Sequence, residues 1–386
     1  MIRRSVALLI ETSNGYSRGL LEGVIAYTQE HGNWSVYLTE QERGAPPPSW
    51  LQGWGGDGVI ARIETDAIGR QLKRCGVPVV DLSAARQLKG VPWADTDDRA
   101  ISQLAVDHFT QRGFRNLAYC GDAGFQWSSK RCLHFRGFAQ SAGCLFYEHQ
   151  SVARYEKTYN AVTEMGRIID WIAILPRPVA IMGCYDFKAH EVLDACRQLN
   201  IDVPTEVAVL GVDNDRLICE LSEPKLSSII PDTKRTGYEA ANLLDRMMSG
   251  EVVASDTPLI TQPLGIHVRE STDTVAIADE EIAKALQYIR RHSSANLRVN
   301  DILQHIDLSR RAFEHRFSKW VGHTPHEEIQ RVRMNRVKAL LRDTELTLNQ
   351  IAERMGFEHS EYLGAAFKRE VGIAPSEYRK MQNVSS

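Results

Sequence analysis

The sequence of 386 residues predicts a two-lobed α/β domain followed by an all-α domain with two helix-turn-helix motifs. Apolar segments of strand length alternate with amphipathic helical segments from the start of the chain, which is typical of a parallel sheet covered by helices. The alternation begins again near residue 100, which indicates a second lobe. After residue 275 only helical periodicity remains, and the length is sufficient for two or three domains.

The first lobe is predicted from four strands and the helices between them. Residues 6–10 form a continuous apolar run of the kind that is buried on both faces of a sheet. The other strands are expected at residues 34–38, 57–61 and 77–82, and the helices at residues 19–29 and 67–75, with a short helix that opens at residue 50.

The second lobe repeats this pattern, and the chain is expected to cross between the lobes near residue 100 and within residues 230–270. Strands are expected at residues 116–120, 179–183, 207–213 and 228–230, and helices at residues 97–112, 128–142, 159–174, 187–199 and 233–248. Residues 261–275 contain Pro263 and Gly265, which predicts an irregular connector. The two domains are therefore placed at residues 1–275 and 276–386.

Charge is distributed unevenly along the chain. Residues 283–386 carry 18 Lys and Arg against 12 Asp and Glu, a net charge of +6, whereas the rest carries 28 against 37, a net charge of −9. A basic domain behind an acidic body indicates a site for a polyanion such as DNA in the last quarter of the chain.

Other features of the sequence argue against several classes of protein. The seven cysteines are scattered and form no C-x-x-C pair, which favours reduced thiols and a cytoplasmic location. No apolar run approaches the roughly 18 residues of a membrane span. The first strand is not followed by a glycine-rich phosphate loop, and an H-E-x-x-H pair is absent. We therefore expect no catalytic residue, no metal and no cofactor.

Polar residues that follow predicted strands are candidates for ligand binding, because ligands of open parallel sheets lie outside the carboxyl ends of the strands. Two such lobes can close on a ligand in the cleft between them. Carboxylates accept hydrogen bonds from hydroxyl groups, arginines donate them, and a tryptophan can cover the apolar face of a sugar ring. The candidate ligand-binding residues are Tyr16, Arg18, Trp127, Arg131, Asp186 and Asp213.

Each candidate also has a structural interpretation. An aspartate after a strand often forms a turn or caps a helix, and a tryptophan in a loop can simply pack. We expect Asp97 to be a helix N-cap, because its carboxylate can accept from the free N–H groups of the first helical turn.

The last quarter of the chain predicts two helix-turn-helix units joined by a helix at residues 327–341. A preceding helix is expected at residues 279–292, and the two units lie near residues 299–319 and 347–369. In the first unit Ser309 is a suitable N-cap, and Phe313 and Phe317 face inward at i,i+4. In the second unit Gly356 can adopt the left-handed conformation that ends a helix.

Residues 4–270 resemble the periplasmic-binding-protein-like sensor domain of the lactose- and ribose-repressor (LacI) families. The resemblance lies in Gly211-Val212-Asp213-Asn214-Asp215, in Met182-Gly183-Cys184-Tyr185-Asp186 and in Pro224-Lys225-Leu226-Ser227-Ser228-Ile229. It implies a sensor that holds a sugar by carboxylates on its hydroxyl groups and by an aromatic ring on its face.

The last quarter resembles the DNA-binding domain of the arabinose-regulator (AraC) family. The closing pattern I-A-x-x-x-G-F with F-K-x-x-x-G-x-x-P-S-x-Y-R stands here at residues 351–357 and 367–379. The resemblance implies that the second helix of each unit enters a DNA major groove. The residues expected to contact DNA are Arg310, Arg311, Glu314, His315, His359, Ser360, Glu361, Lys368 and Arg369.

The second unit departs from the family pattern at Gly364 and Ala365, where longer side chains are common. Side chains this short do not reach a base edge. We therefore expect the first unit to read more of the sequence, through groups such as Arg311 and His315, and Lys368 and Arg369 to contact phosphates.

The order of the two domains resembles a group of sugar-responsive regulators of enteric bacteria. The local likeness includes Gly15-Tyr16-Ser17-Arg18, Glu22-Gly23-Val24, Thr96-Asp97 and the spacing of Trp127 and Arg131. The resemblance implies a homodimeric activator of carbohydrate catabolism genes that binds operator DNA, responds to xylose or another pentose and acts on RNA polymerase. A different sugar, a sugar acid or a repressing role remain alternatives, as does a DNA-binding protein without an effector.

Overall fold

A computed structural model describes residues 3–384 apart from residues 33, 43–44, 154–155, 157, 255–257, 275–276, 278, 293–296 and 345. It divides into two compact units, Met1–Thr274 and Val275–Ser386. The boundary predicted between residues 275 and 276 falls on residues outside the described set. Among the helices that are described, none has the length and apolar character that a bilayer crossing requires.

The first unit, called the sensor below, is built from two lobes of mainly parallel sheet. Its strands are β1 Arg4–Leu9, β2 Trp34–Leu38, β3 Gly58–Ala61, β4 Val79–Asp81, β5 Trp93–Thr96, β6 Asn116–Asp122, β7 Leu145–Ser151, β8 Val179–Gly183, β9 Val207–Val212, β10 Ser227–Ile230, β11 Pro258–Thr261 and β12 Gly265–His267. Its helices are α1 Gly15–His31, α2 Asp66–Cys75, α3 Asp98–Gln111, α4 Gln126–Ser141, α5 Ala161–Ala173, α6 Asp186–Gln198, α7 Arg216–Leu221 and α8 Thr233–Met248, with short 3-10 turns at Ser49–Leu51 and Glu270–Thr272.

Each lobe contains one six-stranded sheet. The first sheet has the order β11-β5-β4-β3-β1-β2, and the second has the order β12-β10-β9-β8-β6-β7. Among the described residues, all strand pairings are parallel except that of β10 with β12. The chain therefore passes between the lobes three times, after β5, after β10 and after β11. The predicted two-lobed α/β architecture is confirmed.

The predicted strands and helices are confirmed for the long elements. The prediction of an irregular connector is wrong. Residues 261–275 are not an irregular connector, since β12 pairs with β10 and Glu270–Thr272 forms a 3-10 turn. The reason is that three-residue strands carry no detectable periodicity. The short strands β5 and β11, the edge strand β7 and helix α7 were not predicted either.

Apolar side chains cover both faces of the central strands. In the first lobe Val6 and Leu8 pack into one core and Ala7 and Leu9 into another, on the opposite face of the sheet. This arrangement explains the continuous apolar run in the sequence. The N-cap predicted at Asp97 is confirmed, because its Oδ1 accepts from the Arg99 and Ala100 backbone N–H groups at 2.9 and 3.0 Å.

Helix α1 is held against α8 at backbone distance by two glycines. A methyl group on Gly23 would lie 2.0 Å from the Lys234 carbonyl oxygen, and one on Gly237 would lie 2.0 Å from the Leu20 carbonyl oxygen. Backbone atoms cannot move aside as a flexible side chain can. These two glycines therefore fix the position of α1, whose first residues contribute to the cleft described below.

Asp81 is a buried carboxylate whose charge destabilises the sensor. Its Oδ1 accepts from the Ser83 and Ile63 backbone N–H groups at 2.8 and 3.2 Å, while its buried Oδ2 has no hydrogen-bond partner among the described residues. Burial raises the pKa of Asp81 to about 7. The folded state therefore binds this proton more tightly than the unfolded state, and stability falls as pH rises from about 4 to about 7.

We expect Asp81→Asn to stabilise the protein above pH 7, because it keeps the accepting oxygen and removes the charge. The gain should be about 1–3 kcal/mol at pH 8 and vanish near pH 4, where the wild-type carboxyl is protonated. Thermal unfolding followed at both pH values measures this difference. An equal effect of the substitution at pH 4 and pH 8 would contradict the interpretation.

In the second unit the described regular elements are all helices. Its helices are α9 Glu280–Arg291, α10 Val299–Leu303, α11 Arg310–Val321, α12 Pro325–Asp343, α13 Leu348–Arg354, α14 Ser360–Val371 and α15 Pro375–Val384. One core, with Phe313 and Phe317, lies among α9, α10, α11 and the start of α12. A second core, with Leu363 and Phe367, lies among the end of α12, α13 and α14. Each core supports one helix-turn-helix unit.

Candidate functional site

A cavity lies in the sensor between the carboxyl ends of the two sheets. The first lobe contributes residues that follow β1, β3 and β4 or end β5, and the second contributes residues of α3 and α4 and residues that follow β8 and β9. The lining residues are Tyr16, Arg62, Ala84, Asp95, Thr96, Asp98, Trp127, Arg131, Tyr185 and Asp213. Four of the six predicted ligand-binding residues are therefore brought together here, namely Tyr16, Trp127, Arg131 and Asp213.

Arg62 forms the base of the first-lobe wall. Its guanidinium is bonded to Glu11, to Glu64 at 2.7 Å and to Ser17 Oγ at 3.0 Å, so both terminal nitrogens are fixed. The Nε is buried and has no hydrogen-bond partner among the described residues. The guanidinium carbon also lies 5.3 Å from the centre of the Tyr16 ring. Arg62 is thus a rigid donor at the cavity, and its buried Nε–H still has to be satisfied.

Asp95 supplies an acceptor on the same wall. Its carboxylate accepts from the Tyr16 hydroxyl at 3.3 Å and from the Thr96 backbone N–H at 2.9 Å. Burial and, to a smaller extent, the nearby Asp98 together raise the pKa of Asp95 to about 6. Burial likewise raises the pKa of Tyr16, so that its hydroxyl keeps its proton and can donate.

Arg131 and Trp127 form the second-lobe wall. Arg131 donates to Asp98 Oδ1 from Nε at 3.0 Å and from Nη2 at 2.7 Å, and it also donates to the Cys184 carbonyl oxygen. The Trp127 ring lies 5.2 Å from this guanidinium carbon and meets Tyr185 edge-on at 5.7 Å. The wall therefore combines a flat apolar surface with a fixed charged group, which suits the two faces of a sugar.

Asp213 lies at the end of β9 on a constrained turn. Its φ is 112° and that of Asn214 is 49°, values that residues other than glycine seldom adopt. The Asp213 N–H donates to the Ile229 carbonyl oxygen at 3.1 Å. The backbone thus directs the Asp213 carboxylate to the cavity at a cost in conformational energy, a pattern that is concentrated at functional sites.

Asp186 and Arg18 do not line the cavity. Asp186 is buried at the start of α6, where it accepts from the Asp215 N–H at 2.7 Å and from Ser228 Oγ at 2.6 Å. Burial raises the pKa of Asp186 well above its usual range, and the nearby Asp213 raises it further. Arg18 donates to the Thr12 carbonyl oxygen at 3.2 Å and to Asp215 at 3.2 Å. The ligand role of these two residues stays a prediction, and the structure gives both of them other partners.

The cavity contains residues that the sequence patterns did not single out. Arg62 follows directly after β3, so the rule that selected Tyr16 would have selected it too. Asp95 and Thr96 belong to β5, a four-residue strand with polar positions and no recognisable apolar pattern. Asp98 directly follows Asp97, the predicted N-cap, and was therefore interpreted as part of the helix start and not as a candidate for ligand binding.

Two letter patterns typical of enzymes occur in the sensor without the geometry that they require. Residues 15–19 read G-x-S-x-G, but Ser17 is fully buried inside α1 and its Oγ accepts from Arg62. A nucleophile elbow needs an exposed serine at a strand-to-helix turn. Residues 53–58 read G-x-G-x-x-G but lead into β3, so no helix N-terminus follows to bind a phosphate.

The residues predicted to contact DNA lie on the two recognition helices, α11 and α14, and His359 is the N-cap of α14. Arg311 and His315 are exposed on α11, and Arg310 pairs with Glu314 at 2.9 Å on the same surface. In the second unit Ser360 is half-buried. The other side chains predicted to contact DNA are exposed, namely His359, Glu361, Lys368 and Arg369, and Ala365 between them is exposed too. Ser309 and Gly356 perform the predicted roles of N-cap and left-handed helix end.

The turn of the second unit is held by Arg333 of α12. Its Nε and Nη2 donate to the Met355 carbonyl oxygen at 2.9 and 2.6 Å, and its guanidinium carbon lies 3.6 Å from the centre of the Phe357 ring. The helix that joins the two units therefore also fixes the angle at which α13 leads into α14.

Three family models match the chain in succession. They are described as the XylR N-terminal domain at residues 5–105, the periplasmic binding protein-like domain at residues 106–272 and the helix-turn-helix domain at residues 302–381. The xylose operon regulatory protein of Escherichia coli strain K12 is 28% identical over 389 residues, which cover 99% of this chain and 98% of that protein. The protein of the same name from Haemophilus influenzae is 28% identical and covers 97% of both.

Solved structures agree with this relationship. The structure described as the xylose-binding transcription activator XylR has a TM-score of 0.83, at 28% identity and 98% coverage of both chains. The cellobiose complex of the regulator CelR, with a TM-score of 0.57 at 23% identity, shows the sensor fold alone. The chain is thus similar over its whole length to xylose operon regulatory proteins, and a periplasmic-binding-protein-like sensor precedes a helix-turn-helix domain in it.

Proposed function

We propose that the protein is a transcriptional activator whose binding to operator DNA is controlled by a neutral sugar in the sensor cleft. The observation that carries this proposal is the cavity between the lobes, with fixed donors at Arg62 and Arg131, acceptors at Asp95 and Asp213, and the Trp127 ring. A ring with several hydroxyl groups uses all of these groups at once. The protein would act in the cytoplasm as a homodimer and contact RNA polymerase.

The charges of the cavity favour a neutral sugar over a sugar acid. Arg131 is neutralised by Asp98, and Arg62 by Glu11 and Glu64. Both arginines therefore hold their counterions within the protein, and Asp213 adds a further negative charge. D-xylose is the first candidate, because relatives across the whole chain are named as xylose operon regulators.

A thermal-shift screen of the full chain against pentoses, hexoses and sugar acids tests this proposal. We expect D-xylose or another pentose to raise the melting temperature in a saturable manner, as required for a ligand that binds the folded state. Sugar acids of the same size should have no effect. The absence of a shift with every sugar would contradict the effector role and favour a DNA-binding protein without an effector.

A further inference from the structure

A contact between the two lobes lies beside the cavity. The Asp215 carboxylate, in the second lobe, accepts from the Gly15 backbone N–H at 3.0 Å and from Arg18 Nη2 at 3.2 Å, both in the first lobe. The same carboxylate accepts from the Leu217 N–H at 3.1 Å and so caps α7. The Asp215 side chain is 9% exposed, so its charge is largely shielded from solvent at the contact.

The contact requires a glycine at position 15. A methyl group there would lie 2.8 Å from Asp215 Oδ2, 2.9 Å from Cγ and 3.0 Å from Cβ. The methyl group would clash with the Cβ, the Cγ and one oxygen of the Asp215 side chain, so a rotation of the terminal oxygens alone would not relieve the clash. Gly15 is the first residue of α1 and does not have a positive φ, so its backbone conformation does not exclude alanine. The three atoms that a methyl group would approach most closely all belong to the second lobe, so the glycine permits the approach of that lobe.

The same turn carries the contact and the cavity. Asp213 lines the cavity, and Asp215 follows two residues later. Asp186 accepts from the Asp215 N–H at one oxygen and from Ser228 Oγ at the other, and Ser228 Oγ in turn accepts from the Asn214 N–H at 3.0 Å. This buried network holds the backbone of the turn. The carboxylates of Asp213 and Asp215 therefore belong to one fixed segment.

We infer that the turn from Asp213 to Asp215, positioned by Asp186, couples effector binding to closure of the lobes. Asp213 presents its carboxylate to the sugar, and Asp215 fastens the second lobe to Gly15 and Arg18 when the cleft closes. A ligand shifts an equilibrium only through its different affinities for the two states, and a clasp that joins the two lobes favours the state in which they are together. The inference rests on the proposed function and adds three positioning residues outside the cavity: Gly15, Arg18 and Asp215.

The clasp is tested by the affinity of the full chain for D-xylose, measured by calorimetry. Gly15→Ala should weaken binding about tenfold, while the melting temperature without sugar stays the same or rises, because alanine favours a helix. Asp215→Ala should weaken binding to a similar extent, and Asp215→Asn should weaken it less, since asparagine still accepts from Gly15 and still caps α7. Asp232→Asn is the control, because the Asp232 side chain also caps a helix, by accepting from the Arg235 N–H of α8.

A merely structural role would give a different pattern. It would leave the affinity of Gly15→Ala unchanged and confine the effect of Asp215→Ala to the melting temperature, which the loss of the α7 cap lowers in either case. Unchanged D-xylose affinity in Gly15→Ala and Asp215→Ala, with wild-type protein binding normally, would overturn the inference and leave the proposed function standing. A wild-type protein that binds no sugar would contradict the proposed function itself.

A double-mutant cycle on Arg18 and Asp215 separates the clasp from independent effects. The loss of affinity in Arg18→Met with Asp215→Asn should be smaller than the product of the two single losses, because both variants remove the same ion pair. Losses that multiply without coupling would show that the two residues do not act together and would contradict the clasp.

Discussion

Replacing Asp213 by alanine is expected to abolish effector binding, with a loss of affinity of at least about 100-fold. Hydrogen bonds from sugar hydroxyl groups to a charged carboxylate contribute roughly 1.5–3 kcal/mol each, and Asp213 can accept at least two. No other lining residue of the second lobe lies on the turn that carries the clasp. Calorimetric titration of the full chain with D-xylose measures the effect.

Alanine at position 213 also changes the backbone, and a glycine variant removes that ambiguity. The φ of 112° is strained for alanine but not for glycine, so Asp213→Gly deletes the carboxylate without adding strain. We expect Asp213→Gly to lose sugar binding while its melting temperature without sugar does not fall. Retained binding in the glycine variant would remove Asp213 from the set of ligand contacts.

The second large effect is expected in the first recognition helix. Arg311→Ala should weaken binding to a selected operator by about 10- to 100-fold and relax the base preference at one position, as expected for the loss of a bidentate contact to guanine. Lys368→Ala should instead weaken binding to all DNA sequences alike and reduce the dependence of affinity on salt concentration by about one ion. Selection from random DNA, followed by affinity measurements at several salt concentrations, separates the two effects.

The surface of α14 gives the reason for this asymmetry. Gly364 and Ala365 leave the middle of its exposed face without a side chain that reaches a base edge, whereas Arg311 and His315 project from the corresponding face of α11. If Arg311→Ala selects the same sequences as the wild type and Lys368→Ala does not, the second unit is the principal reader and the expected division is wrong.

Long elements with strong periodicity could be predicted from the sequence, and short ones could not. The helix at Thr233–Met248 and the strands at Trp34–Leu38 and Val179–Gly183 agree residue by residue with the predicted bounds. By contrast, β12 contains three residues, and it exists because β10 offers a free edge to pair with. Such strands depend on the tertiary structure, which a local pattern does not contain.

The residues of the cavity could be predicted from the sequence where the strand that precedes them could be recognised. Tyr16, Trp127, Arg131 and Asp213 follow recognisable strands and converge as expected on the cavity. Asp186 also follows a strand, but its side chain bonds to the turn that contains Asp215 and does not line the cavity. A sequence position does not determine that direction, because it depends on the hydrogen bonds to Ser228 and to the Asp215 backbone.

The central claim is that a sugar bound between the lobes controls DNA binding, and one measurement tests it most directly. The affinity of the full-length protein for an operator fragment, obtained by selection from random DNA, is compared with and without saturating D-xylose. We expect the sugar to change the affinity of the wild type by about 5- to 150-fold and that of Asp213→Gly not at all. Equal DNA affinity of the wild type in the presence and absence of a sugar that it demonstrably binds would contradict the claim.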